Sequence, residues 1–162
     1  MRTGLTNLEA IAYLSTQPEG LWDVKPHEED KTDSQRRLYW KVLGVISESL
    51  REPKAYVHNY CLRLAEFYDG NDCVPIPDTD DAELKTMYNQ DRHLKPTHDT
   101  YEANGKVFRL YRKLRGVSKL TVKEMSLLID IAINQMTDMG LMLPQDEATL
   151  KAYEEHKKGK NK

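Results

Sequence analysis

Two stretches of this chain place cationic and amide side chains where a polyanion would be bound. One is Asp33-Ser34-Gln35-Arg36-Arg37-Leu38-Tyr39-Trp40, the other Ser118-Lys119-Leu120-Thr121-Val122-Lys123-Glu124-Met125. Each is expected to open a helix, where free backbone N–H groups and the helix dipole attract phosphate. Cations within a turn of such a start stand where acids are usually favoured. Arg37 and Lys41 lie on one helical face, a spacing that costs about a few tenths of a kcal/mol unless an anion answers them. Gln35 is expected to donate to a phosphate or a sugar, or else to cover the cap. Ser118 with Lys119 pairs a hydroxyl with an ammonium, a combination suited to phosphate contact.

The charge balance is compatible with that chemistry only if charge is segregated. The net charge of -2 excludes a uniformly basic coat. From Lys106 to Lys123 the charged residues are Lys106, Arg109, Arg112, Lys113, Arg115, Lys119 and Lys123, with no acid among them. Asp69, Asp72, Asp78, Asp80, Asp81, Glu83 and Asp91 stand together instead, against Lys85. A charge run is commonly a solvated face, but here the basic one coincides with a helix entrance.

The elements that must position these residues follow from hydrophobic period and punctuation. With 162 residues and 39% apolar content the chain can bury one core, which predicts a single domain. Thr6 and Glu9 have capping-box spacing ahead of a short helix reaching Thr16, and Leu21–Val24 reads as a short strand. A helix capped by Asp33 or Ser34 carries Tyr39, Val42, Leu43, Ile46 and Leu50 as one stripe and ends at Pro53. The next, from Lys54 to Phe67, aligns Tyr56, Tyr60, Leu64 and Phe67. Gly70, Pro75 and Pro77 are expected to break regular structure, residues 82–90 to form a helical turn or two, and Pro96 to mark a loop. Lys106–Tyr111 alternates as a strand after an Asn104-Gly105 turn. Thr121 and Glu124 form another capping box, with Val122, Met125, Ile129, Ile133 and Met136 in helical period up to Gly140 and Pro144. A polar helix from Asp146 to His156 and a basic tail complete an α+β fold, predominantly helical with a small β-sheet.

Residues Asp33–Ser47 resemble the signature of the phage NinB or Orf recombination proteins, and Val117–Met125 resembles that family's entry to its long helix. The likeness spans roughly Leu21–Leu50 and Lys106–Glu147. It implies a domain over residues 1–145 with a variable acidic insert near 69–104, then a C-terminal helix and basic tail over 146–162. It further implies a homodimer that binds single-stranded or gapped DNA without sequence preference. Such proteins are thought to assist recombinase loading on strands covered by single-strand-binding protein, a possible partner, in the cytoplasm of a bacterial host. By motif position Gln35, Arg37 and Trp40 match the signature, and Lys119 falls on a basic DNA-contact position. Arg36 replaces the family's Asn, adding charge for backbone contact. The full candidate set is Gln35, Arg36, Arg37, Trp40, Lys41, Arg109, Arg112, Lys113, Arg115, Ser118, Lys119 and Lys123. Trp40 reads as core by its helical spacing, with base stacking as the alternative for it, Tyr39 or Tyr111. Leu127, Leu128 and Ile131 widen the long helix's apolar face and offer either a dimer surface or more core.

Other chemistry is less well supplied. Asp78, Glu83 and Lys85 superficially resemble a Mg²⁺-dependent nuclease triad, but their spacing is too short for the usual pair of strands. His93, His98 and Asp99 lack a helical ligand pair and read as solvated. No cofactor or metal is expected and the protein reads as a non-enzyme. The acidic stretch from Asp78 to Glu83 leaves open a protein-binding accessory role toward a basic partner. Cys61 reads as a buried thiol and Cys73 as part of a polar loop. Without a membrane-length apolar run or a signal-peptide pattern, a cytosolic location is expected.

Overall fold

Apolar residues at helical spacing build the three helices that hold the core. A computed structural model describes residues 7–16 and 33–160. In chain order its elements are α1 (Asn7–Leu14), α2 (Asp33–Leu50), α3 (Lys54–Ala65), β1 (Tyr68–Pro77), α4 (Ala82–Met87), β2 (Leu94–Ala103), β3 (Lys106–Leu114), α5 (Val122–Asp138) and α6 (Glu147–Lys160). The fold is α+β and helix-dominated, as expected. The strand at Leu21–Val24 and the Thr6 cap lie outside the described residues. Asp33 and Ser34 are already helical, so neither is the cap of α2.

Leu38, Tyr39, Val42, Leu43 and Ile46 of α2 interlock with Val57, Cys61 and Leu62 of α3 and with Met125, Leu128, Ile129, Ala132 and Met136 of α5. Ala152 closes this cluster from α6. Each Val, Leu, Ile and Met side chain among them contributes about 1.5–3 kcal/mol when fully buried. Leu50, expected in the stripe, is exposed. Of the stripe expected on α3, Tyr56 and, beyond the helix end, Phe67 pack half-buried against the core, whereas Tyr60 and Leu64 point outward and His58 and Asn59 are buried instead. The polar pair turns inward because each finds partners there. The Tyr39 hydroxyl meets His58 Nδ1 at 2.8 Å, and Asn59 Nδ2 donates to the carbonyls of Met87 and Asn89, each at 2.8 Å.

The sheet runs β1-β3-β2, all antiparallel. Asn104 and Gly105 both have positive φ (51° and 70°), the two-residue turn whose twist suits a hairpin, and it pairs Ala103 with Lys106. Residues 69–104 supply most of both edge strands and α4. Pro75, Pro77 and Pro96 thus lie in strands, against expectation. An edge strand has one side without ladder bonds, so a missing N–H is tolerated there, and register shifts fall between Tyr68 and Cys73 and between Pro96 and Thr100. Cys73 sits exposed on β1, and burial pushes the Cys61 thiol up to about 12. The helices meet the sheet along β2, through α3 and α4, and through Leu114. No helix of the described residues is long and apolar enough to cross a membrane.

Candidate nucleic-acid interface

The two helix entrances singled out by sequence lie side by side. Gln35 Nε2 donates to the Val122 carbonyl at 3.2 Å and to Ser126 Oγ at 3.0 Å, tying the first turn of α2 to the first turn of α5. With 9% exposure, Gln35 is a structural bridge and not the expected phosphate donor. The start of α5 is set by its capping box: Thr121 Oγ1 accepts from the Glu124 N–H at 3.2 Å, and Glu124 Oε2 accepts from the Thr121 N–H at 3.1 Å. Around this joint Arg36, Arg37 and Lys41 on α2 and Ser118, Lys119 and Lys123 before and within α5 are exposed. Ser118 and Lys119 belong to a short 3₁₀ turn, Val117–Lys119. From α6, Glu155 accepts the Ser34 hydroxyl at 2.5 Å, so the α6 turn carrying exposed Lys158 lies close to the same entrance. Lys158 was not among the sequence candidates; its only signal was the basic tail.

Three cations of the acid-free run from Lys106 to Lys123 are paired with acids from outside it. Arg109 Nε and Nη2 grip both Asp78 oxygens at 3.0 and 3.1 Å, and its Nη1 donates to the Thr97 carbonyl. Arg115 forms two bonds to Glu124, at 3.1 and 2.5 Å. Burial raises the Glu124 carboxyl, but the Arg115 and Thr121 hydrogen bonds outweigh it and leave it below its ordinary range. Lys119 reaches Asp69 at 3.0 Å. Arg112 lies over the Tyr68 ring, 3.5 Å from its centre, and donates to the Gly70 carbonyl. Arg109 and Arg115 are therefore structural, Arg112 is stacked, Lys119 is shared, and Lys113 and Lys123 are exposed. Asp69 and Asp78 were invisible as partners because it is antiparallel pairing that brings β1 alongside β3.

Comparison with protein-family models, with curated proteins and with solved structures finds no match for the chain.

Of the expected stacking residues, Tyr39 and Tyr111 are buried, at 0% and 1% exposure. Trp40, expected in the core, is 38% exposed and leans on Tyr39 and His58, with ring centres 5.4 and 5.1 Å apart. Beneath it the His58 ring meets His93 edge-on at 4.9 Å. Both Asn59 Nδ2 protons are spent on carbonyls, so Asn59 Oδ1 accepts and His93 Nδ1 carries the hydrogen of their 2.7 Å contact. Burial, with His93 beside it, pushes His58 down to about 3, and burial lowers His93 as well. His93 is thus not a solvated histidine, whereas His98 is exposed. A Cβ at Gly116 would lie 2.9 Å from His93 Nε2, which is why glycine stands there.

The remaining alternatives separate in space or partner. Asp78 pairs with Arg109, Glu83 with Arg63 and Lys85 with Asp81. Among the described residues no group of three or more His, Cys, Asp or Glu is placed to hold a metal ion. Leu128, offered as part of a dimer surface, is fully buried core; Leu127 is 50% exposed and Ile131 packs half-buried against the core.

Proposed function

We propose that this protein binds DNA without sequence preference, favouring single-stranded or gapped forms, through the joined entrances of α2 and α5. The supporting observation is the Gln35 bridge, which gathers exposed Arg36, Arg37, Lys119 and Lys123 from two distant segments around paired helix starts. Backbone N–H groups and cations together suit phosphate, and half-exposed Trp40 offers a ring edge one turn along α2. The resemblance to the NinB or Orf proteins extends this reading to recombination, with the protein assisting recombinase loading as a homodimer.

The test is fluorescence anisotropy of labelled single-stranded and duplex oligonucleotides over a salt series. Four phosphate contacts to a single strand give a slope of log affinity against log salt of about -3. Binding that favours the single strand with such a slope supports the reading. Absence of binding at low salt overturns it.

A further inference from the structure

Away from the candidate interface, a cavity of about 370 Å³ opens between the end of β1, α4 and the β2–β3 pair. Tyr111 of the central strand lines it while being only 1% exposed, and its hydroxyl has no hydrogen-bond partner among the described residues. Tyr111 shares the lining of the cavity with Asp78, Asp80, Glu83 and Arg109.

The cations nearby are already paired. Arg109 is held by both Asp78 oxygens and the Thr97 carbonyl, and Arg63 by Glu83, Thr86 and the Leu94 carbonyl. Toward the cavity acceptors predominate: the remaining lone pairs of Asp78 and Glu83, the Asp80 carboxylate and the Tyr111 hydroxyl, which can accept as well as donate. Three carboxylates line the space against one arginine, which repels an anion. A bare metal ion is equally unsuited, because two of those carboxylates are engaged by arginines and no metal-holding group forms among the described residues. A cation with several N–H donors satisfies every one of these acceptors, and the volume lies at the small end of the range for ligand sites, about 300–1,000 Å³.

We propose that this cavity is a receptor for a guanidinium or primary ammonium group, with Asp80 countering its charge and Tyr111 accepting one of its hydrogens. It does not rest on the DNA-binding reading. The group comes either from an arginine or lysine side chain of a protein partner or from a free small cation, and the probes separate these sources.

Calorimetric titration of the full chain at low salt would use N-acetyl-arginine amide, spermidine, a short arginine-containing peptide and, as the anionic control, N-acetyl-glutamate. Saturable binding of cationic probes and none of the anion is expected. A peptide tenfold or more tighter than the arginine derivative identifies a protein source, and equal affinities a free cation. Tyr111→Phe, which keeps the ring, is expected to weaken binding about fivefold, and Asp80→Asn, at an exposed site, about tenfold. Unchanged affinity in either variant overturns the proposal, as does the absence of saturable binding up to about 10 mM of every cationic probe.

Discussion

Lowering the pH from 7 to 5 is expected to cost this fold about 2 kcal/mol through His58 alone. The ring is buried and its proton affinity is pushed down to about 3, first by burial and then by neighbouring His93. In the unfolded chain the same ring titrates near 6.5. Above that value both states carry a neutral ring and the group contributes no pH dependence. Below it the unfolded chain binds a proton that the folded protein refuses, so stability falls progressively as pH drops toward 3. A proton refused at pH 5 by a group that would titrate near 6.5 is worth about 2 kcal/mol, and the full span about 5 kcal/mol. His93, lowered by its own burial, acts in the same direction. Glu124 and Asp146, held low by hydrogen-bond partners, lose their contribution mainly at more acid pH, below the ordinary carboxylate range. The assay is urea unfolding followed by circular dichroism at pH 7, 6 and 5 for the wild type and His58→Gln. The variant is expected to be weaker at pH 7, because Tyr39 loses its ring partner, yet to lose about 2 kcal/mol less than wild type on going to pH 5. Equal pH slopes in the two proteins would refute the reasoning.

Arg37→Ala and Lys123→Ala are each expected to lower single-strand affinity about threefold to tenfold and to reduce the salt slope by about 0.7 while leaving the melting temperature unchanged. Arg109→Ala is expected to do the opposite, lowering the melting temperature through loss of the Asp78 pair with little change in DNA affinity; anisotropy and thermal melts on the same samples separate the two classes. Gln35→Ala removes the Nε2 bonds to Val122 and Ser126 of α5, so about 1–3 kcal/mol should be lost in urea melts, and DNA affinity should fall as the two entrances loosen. Leu128→Ala should cost about 2–5 kcal/mol, and a loss under about 1 kcal/mol would show that this side chain is not core.

Local signals were legible in the sequence and nonlocal ones were not. The Thr121–Glu124 capping box and the Asn104-Gly105 turn are decided by residues a few positions apart, and both form as expected. The face of α3 was misread because the burial of His58 and Asn59 depends on Tyr39 and on carbonyls of the α4 segment, neither of which local periodicity can weigh. The prolines of β1 and β2 were misread as breakers because whether a strand lies at an edge is a property of the sheet, not of the strand. Gln35 is the instructive residue. Its place in a basic first turn suggested a ligand donor, and its real partners, Val122 and Ser126, lie in the other segment that sequence had already singled out.

The basic run shows how burial and pairing geometry divide like charges between structure and binding. Arg115 grips Glu124 through two nitrogens, both side chains are mostly shielded, and the same carboxylate receives the Thr121 N–H of the α5 cap. A phosphate that drew Arg115 away would leave the capping-box acid Glu124 without its ion-pair partner and weaken the helix start on which the interface rests. Lys119 differs on each count. It meets Asp69 through a single bond, its side chain is 62% exposed, and nothing else depends on that pair. An exposed pair of this kind is worth about 0–1 kcal/mol, less than a phosphate neutralised with counterion release returns. Lys119 can therefore exchange Asp69 for a nucleic-acid backbone, whereas Arg115 holds the helix that presents it.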